Sequence, residues 1–463
     1  MSQHKSLLII GGGPAGYVAA IRARQLGFAT QLVEREHLGG ICLNWGCIPT
    51  KALLHAAETL AEIRSASELG IHVPEGVTVD LGRMVERSRS VVSRLTQGVR
   101  HLMKKNGVEV INGEARLTGP HSVEVSGKEK RTLSADFILI ATGARPRPLD
   151  QISVDGEHIW NYRHALSPSV LPESLLVVGA GAIGMEFASF YAELGTNVTV
   201  LEAAERPLPA EDHEISTWVM EAFKKRGVRF QLGSTVQQAV VQGDAVAVRT
   251  KDSQGREQTQ TFHRVLVCAG VIGNHENLGL ETTRVEMKAG FISIDATGRT
   301  AEPSIYAAGD ICGAPMLAHK ASHEAMRCVE AMAGRDVSAH KAAIPSCIYS
   351  RPQVASVGIT EREAEKRGLS VRIGRFPFQG NGKALATNQP EGFVKTIFDS
   401  STGELLGAHM AGPNVTEINQ TLVLAQNMEA VEEDLIAHMF AHPTLSEAIG
   451  ESVLDAYGRA IHI

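Results

Sequence analysis

Two cysteines five residues apart, Cys42 and Cys47, lie in the run Gly39-Gly-Ile-Cys-Leu-Asn-Trp-Gly-Cys-Ile-Pro-Thr-Lys51. A close thiol pair has thiolate attack, mixed-disulfide exchange and two-electron transfer open to it. A regular α-helix would hold the two Cα atoms roughly 8.7 Å apart on different faces, beyond the reach of a disulfide. Bonding therefore demands a distorted backbone, and Gly39, Gly40, Gly46 and Pro49 supply permissive and helix-breaking residues for it. The competing reading makes both cysteines small buried apolar residues. No metal is expected, because no second Cys or His pair lies nearby to complete a tetrahedral set. Far along the chain, His442-Pro-Thr-Leu-Ser-Glu447 pairs an imidazole with a carboxylate five residues on. Pro443 keeps His442 out of a regular helix while Ser446 and Glu447 start one. That pattern suits a general base tuned by its acid partner, or else an ordinary surface or core histidine.

The elements that must position these groups come as a repeated pattern. Residues 6–10 (Ser-Leu-Leu-Ile-Ile) are a short apolar run ending in glycine, which reads as a buried parallel strand. Gly11-Gly-Gly-Pro14-Ala15-Gly16 follows, then a helical run from Tyr17 to Gly27. Strand, glycine turn and helix are what a dinucleotide diphosphate needs: backbone approaches the phosphates at Gly13, and the helix N-terminus faces their charge. A second strand, Thr30 to Val33, ends at Glu34, an acid placed to accept a hydrogen bond from a ribose hydroxyl.

The unit recurs. Leu175 to Val178 lead into Gly179-Ala-Gly181-Ala-Ile183-Gly184, a helix to about Leu194, the strand Val198 to Leu201, and Glu202. In both copies the acid follows the first glycine by 23 residues. Two dinucleotides are expected, one carrying electrons and the other holding them nearby, the division between nicotinamide and flavin. A carboxylate at Glu202 suits a free 2′-hydroxyl and repels a 2′-phosphate, so NAD is favoured over NADP. Arg206, four residues on, is the nearest base.

Asp136 to Thr142 forms a further apolar strand ending at Ala141-Thr142-Gly143, and Arg264 to Ala269 repeats it, ending at Gly270. Ser304 to Asp310 delivers Asp310 at a strand C-terminus, where ligands of parallel sheets sit, to hydrogen-bond a cofactor or to cap the next helix. From about Ala343 the texture changes: Ile344 to Gly358 and Phe393 to Phe398 read as antiparallel strands, with helices from Thr416 to Met428 and Leu445 to Tyr457. The fold expected is α/β: two Rossmann-like dinucleotide-binding domains plus a C-terminal α+β interface, or dimerisation, domain.

Composition sets the outer bounds. The chain has 463 residues, enough for about three domains, with 43% hydrophobic and 21% charged residues typical of a globular enzyme. A net charge of −6 without a basic tract argues against nucleic-acid binding. No apolar run reaches the ~18 residues of a membrane span, and the N-terminal stretch lacks the h-region of a signal peptide. Six cysteines with one close pair are not a secreted disulfide framework, so a reducing cytoplasm is expected.

Taken together, Gly39 to Lys51, Gly16 to Arg22, Pro315-Met-Leu-Ala-His-Lys320, Phe376-Pro-Phe378 and His442 to Glu447 resemble the pyridine nucleotide–disulfide oxidoreductases over nearly the entire chain. The resemblance is to those members that oxidise dihydrolipoyl groups. It implies FAD at the first glycine unit, with Gly11, Gly13, Pro14, Ala15, Gly16, Glu34, Lys51, Thr142, Gly143, Asp310, Met316 and Ala318. It implies NAD at the second, with Gly179, Gly181, Ile183, Gly184, Glu186, Glu202 and Gly270. Cys42 then exchanges with the substrate dithiol, Cys47 lies against the flavin, and Lys51 stands near the flavin ring with Glu186 as partner. His442, oriented by Glu447, is the acid–base residue contributed by the other subunit of a homodimer. The implied electron donor is a lipoyl group on an acyltransferase or glycine-cleavage carrier protein. The implied division is 1–145 for FAD with the dithiol, 146–271 for NAD, 272–342 for the second part of the FAD domain, and 343–463 for the interface.

Three positions depart from the family pattern. Gly270-Val271-Ile272-Gly273-Asn274 lacks the usual arginine and proline, Trp45 stands where a smaller apolar residue is common, and Gln353 replaces a frequent glutamate. The competing classes are a glutathione or mercuric reductase and a silent flavoprotein scaffold. Glu202 opposes the NADPH of the former, the tail lacks a mercuric reductase's extra cysteine pair, and the intact set of reactive residues opposes the latter.

Overall fold

Apolar runs that end in glycine form parallel strands here because both faces of each strand are covered. Ser6–Ile10 is the centre of a five-stranded parallel sheet in the order 305–307, 137–140, 6–10, 29–34, 109–112. Leu8 and Ile9 on it are wholly buried, each worth about 1.5–3 kcal/mol of transfer free energy. The helix Pro14–Gln25 starts at its proline rather than at Tyr17, since proline fits the first helical position and its missing N–H costs nothing there. It shares one core with the helix Ala318–Met332 through small residues, Ala15, Ala19 and Ala23 with Ala321, Ala325 and Cys328. The run from Ser304 to Asp310 is strand only over Ile305–Ala307, because Gly309, at φ +84°, turns the chain and Asp310–Cys312 is a 3₁₀ turn.

The second glycine unit builds a matching parallel sheet, ordered 229–231, 197–201, 174–178, 264–267, 159–160, with the helix Ala182–Glu193 following its central strand. The C-terminal segment is a five-stranded antiparallel sheet ordered 346–348, 353–358, 405–412, 393–399, 371–377. The apolar run from Ile344 to Gly358 is thus a hairpin, Ser346–Ile348 and Gln353–Gly358. Helices Val415–Asn427 and Glu447–Ala456 share its core through Val415, Leu422, Ile449 and Val453. Lys395, buried on that sheet, donates to Asp212 at 2.9 Å and Glu361 at 2.6 Å. Asp212 also caps the helix His213–Lys225, so removing either partner would strand a buried charge.

The structure, a computed structural model, describes residues 5–74, 76–127, 130–337 and 342–463. It divides into two units: Met1–Ala52, Val85–Arg147 and Gly270–His340 form one, and Leu53–Met84, Pro148–Ala269 and Lys341–Ile463 the other. The first sheet and the dithiol belong to the former; the second sheet, the antiparallel sheet and His442 belong to the latter.

Candidate active site

The two glycine turns agree bond for bond. Gly11 and Gly179 both sit at φ +104°, a left-handed value that favours glycine. Gly16 and Gly184 let helix meet strand: a Cβ on either would lie 1.8 or 1.9 Å from the carbonyl oxygen of Gly11 or Gly179. Glu34 accepts the N–H of Gly12 at 2.6 Å and of Glu36 at 2.7 Å. Glu202 does the same with Ala180 at 2.7 Å and Ala204 at 2.9 Å. Each acid is therefore held by its own turn, with lone pairs left over for a ribose. Arg206 spends its guanidinium on the carbonyls of Glu211 and Pro209, both at 2.9 Å, and is tied to its own loop.

The dithiol stretch is helical on both sides of a break. A short helix runs Gly40–Trp45, Gly46 leaves the helical region at φ −139°, ψ −113°, and a second helix runs Cys47–Ser65. The break brings Cys42 and Cys47, both half-buried thiols, into side-chain hydrogen-bond contact. The hydrogen bond to Cys47, then burial, push the Cys42 thiol far up, while Lys51 on the first turn of the second helix pulls it down. Residues 43–52 are gripped from the helix Leu81–Lys105: Arg89 donates to the Asn44 carbonyl at 2.8 Å and stacks 4.9 Å over Trp45, and Ser88 donates to the Pro49 carbonyl at 3.2 Å.

His442 lies outside any helix, as its proline requires, and Glu447 opens Glu447–Ala456. Imidazole Nδ1 donates to Glu447 Oε1 at 2.9 Å, and Thr444 N–H donates to Glu447 Oε2 at 2.8 Å. Burial pushes the Glu447 carboxyl up, but Thr444 and His442 outweigh it and hold it below its usual range. With Nδ1 committed as donor, Nε2 is the nitrogen free to take a proton, on a ring whose side chain is 78% exposed.

The chain matches the pyridine nucleotide-disulphide oxidoreductase family over residues 5–325 and that family's dimerisation domain over 344–453. It belongs to the pyridine nucleotide-disulphide oxidoreductases. Among curated relatives it is 49% identical to a dihydrolipoyl dehydrogenase of Zymomonas mobilis and 47% identical to one of Rhizobium etli, each covering 100% of both chains. Among solved structures it superposes on LpdA from Mycobacterium tuberculosis with a TM-score of 0.90 at 28% identity, covering 97% of this chain and 99% of that one. The HOCl-induced flavoprotein disulfide reductase RclA from Escherichia coli gives 0.86 at 25% identity, with 97% and 99% covered. No helix among the described residues is long and apolar enough to cross a membrane.

An oxidoreductase of this family is a homodimer and uses FAD and NAD, and both turns fit a dinucleotide. The helices Pro14–Gln25 and Ala182–Glu193 have no side chain capping their first N–H groups. A Cβ on Gly181 would meet open space, and one on Gly13 only the Cα of Gly40 at 3.8 Å. Ile183 is exposed beside the second turn. Asp310 is not a helix cap: Gly309 takes that place, while burial and Glu324 push the Asp310 carboxyl up and Lys320 draws it down. Met316 and Ala318 flank Leu317 at another helix start without a side-chain cap.

Other predicted residues have partners of their own. Glu186 is buried and accepts the N–H of Tyr349 at 2.9 Å, in a different unit from Lys51. The Thr142 hydroxyl donates to the Asn274 carbonyl at 2.8 Å, and Asn274 returns its amide to the Thr142 carbonyl at 2.8 Å. The departure after Gly270 is explained there: Val271–Gly273 pairs antiparallel with Ala144–Pro146, and Arg145 on that paired strand supplies a cation, gripping Glu276. Sequence reasoning missed Tyr17 as a neighbour of the thiols; burial and Cys42 push its phenol up. Arg89 was missed as well, since its only signal is three-dimensional.

Proposed function

We propose that this chain oxidises protein-bound dihydrolipoyl groups to lipoyl groups with NAD as acceptor, through a Cys42–Cys47 disulfide. The observation that carries the reading is the helix break at Gly46 that sets Cys42 against Cys47. His442 Nε2 takes the proton of one substrate thiol, and the thiolate attacks Cys42 Sγ. The Cys42–Cys47 bond breaks, a mixed disulfide forms, and Cys47 leaves as a thiolate. The second substrate thiol then attacks the substrate sulfur bound to Cys42, closing the cyclic disulfide and returning Cys42 as the protonated member of the pair. The substrate has lost two electrons and two protons, and the dithiol holds the electrons. FAD and NAD, when bound, supply the hydride chemistry that carries them onward.

Lys51 and Glu186 support the flavin side, and Glu202 favours NAD. His442 and Glu447 serve the thiols of the partner in the homodimer, which gives a base so far along the chain its purpose. Residues 1–145 and 272–342 hold FAD, 146–271 hold NAD, and 343–463 form the interface. A cytoplasmic acyltransferase or glycine-cleavage carrier presents the lipoyl group.

Steady-state assays with dihydrolipoamide, glutathione disulfide and mercuric ion test the substrate class, and a preference for either of the last two overturns it. Cys47→Ser should lower dihydrolipoamide oxidation by about 10³-fold or more while NADH-driven dye reduction survives. His442→Gln should lower the first activity by about 10²–10⁴-fold; equal losses in both activities remove it as the thiol base.

A further inference from the structure

Adjacent residues of the helix Leu81–Lys105 hold the two sides of the break at Gly46. Arg89 donates to the Asn44 carbonyl at 2.8 Å and lies 4.9 Å over the Trp45 ring, both at the end of Gly40–Trp45. Its neighbour Ser88 donates to the Pro49 carbonyl at 3.2 Å, in the first turn of Cys47–Ser65. Thr96, two turns further along, adds a 3.4 Å hydrogen bond to Asn44 Oδ1. One helix thus splints two others, with the dithiol between its grips.

The Arg89 guanidinium needs the Trp45 ring. Its Nε and Nη2 are enclosed and reach no hydrogen-bond partner among the described residues, so burial works against its charge and draws its proton affinity down. A ring face attracts a desolvated cation and offsets that cost. The stack also accounts for an indole at a position where the family pattern has a smaller apolar residue, which would leave the guanidinium without its ring.

We propose that Arg89 and Trp45 are positioning residues that keep Cys42 and Cys47 facing each other after their disulfide opens, and thereby set the equilibrium between dithiol and disulfide. The inference rests on the reading of Cys42 and Cys47 as a redox pair. In the oxidised form the S–S bond itself ties the sides of the break together. In the reduced form only non-covalent contacts do, and here the two free thiols stay in contact. Gly46 cannot hold them, since glycine leaves the backbone free to swing. Splinting the break raises the effective concentration of one sulfur at the other. That favours the disulfide and makes the dithiol the stronger reductant. If the stack merely stabilised the fold, both redox forms would lose equally and the equilibrium would not move.

The test equilibrates the holoenzyme anaerobically with graded mixtures of oxidised and reduced dithiothreitol, then alkylates the thiols and weighs the peptide spanning residues 42–47. Closing the pair forms one S–S bond and passes two electrons and two protons to cyclic oxidised dithiothreitol, whose own S–S bond opens to two thiols. Trp45→Leu and Arg89→Met should each lower the equilibrium constant for closure about tenfold, or about 30 mV toward more positive potential for this two-electron couple. Trp45→Phe keeps a ring face and should stay within about threefold of wild type. The double variant Trp45→Leu/Arg89→Met should fall no further than either single one, because each already removes the same stack. Flavin absorbance reports that each variant folds. Unmoved constants in both single variants, losses that multiply in the double variant, or a Trp45→Phe constant as low as that of Trp45→Leu overturn the proposal while leaving the redox pair in place. A wild-type pair that closes at no ratio overturns the reading of the pair itself.

Discussion

In the first glycine unit the carbonyl of Gly12 accepts the N–H of Gly39 at 2.8 Å; in the second, the carbonyl of Ala180 accepts that of Leu208 at 2.8 Å. Up to this return the units correspond strand for strand and acid for acid. Beyond it they separate. Gly39 and Gly40, at φ +91° and +57°, press the chain onto the phosphate turn and start the helix that holds Cys42. A Cβ on Gly40 would fall 2.7 Å from the Cα of Gly13. Leu208 instead leads through Pro209 to Asp212, the cap of His213–Lys225 and the partner of buried Lys395. The scaffold binds a dinucleotide either way, and two extra glycines turn one copy from a docking element into a redox element.

The comparison breaks most severely at the glycines common to both units. Gly16→Ala and Gly184→Ala each drive a methyl into a carbonyl oxygen, which should cost about 3 kcal/mol or more locally. Gly16→Ala should yield protein without flavin absorbance; Gly184→Ala should keep the flavin and lose its response to NAD in titration. A swap of those outcomes would reverse the assignment of the units.

A smaller effect tests what is unique to the first copy. Gly40→Ala should misplace the dithiol helix and lower dihydrolipoamide oxidation by about 10²-fold, with NAD affinity unchanged by titration. Full activity in that variant would show that the return geometry is dispensable.

The smallest effect concerns the clip at the end of the first unit's central strands. Arg145 holds the Glu276 carboxyl down at about 2 from an ordinary 4.5. A depressed carboxyl contributes stability that is present above about pH 4.5 and lost as pH falls toward 2. Because the pair is exposed, Glu276→Gln should cost less than about 1 kcal/mol in urea unfolding at pH 7. The difference from wild type should shrink steadily below pH 4.5; a difference that grows on acidification would contradict the clip.

Much of this was legible because it is local. A strand that must run from Leu7 to Ile10 into a positive-φ glycine and then a helix has a one-dimensional signature, and Glu34 and Glu202 are fixed by the distance to that glycine. Element ends were less legible. The helix at Pro14 began earlier than its apolar run suggested, because capping and φ restraint set the start rather than hydrophobic period. The strand before Asp310 ended early because Gly309 turns it. The loop after Gly270 read as lacking a charge, yet Arg145 provides one from 131 residues before Glu276, a compensation no window of sequence reveals.

The residue types of Cys42, Cys47, His442 and Glu447, and their spacing against glycine and proline, were determined by the sequence alone: they establish a thiol pair in broken helix and an imidazole beside its acid. Only the tertiary structure decided that the two thiols meet, that Arg89 grips the backbone between them, and that Glu451, one turn beyond Glu447, holds His462. Each of those depends on groups far apart in the chain meeting at hydrogen-bond distance, and proximity of that kind is created by packing rather than by order along the chain.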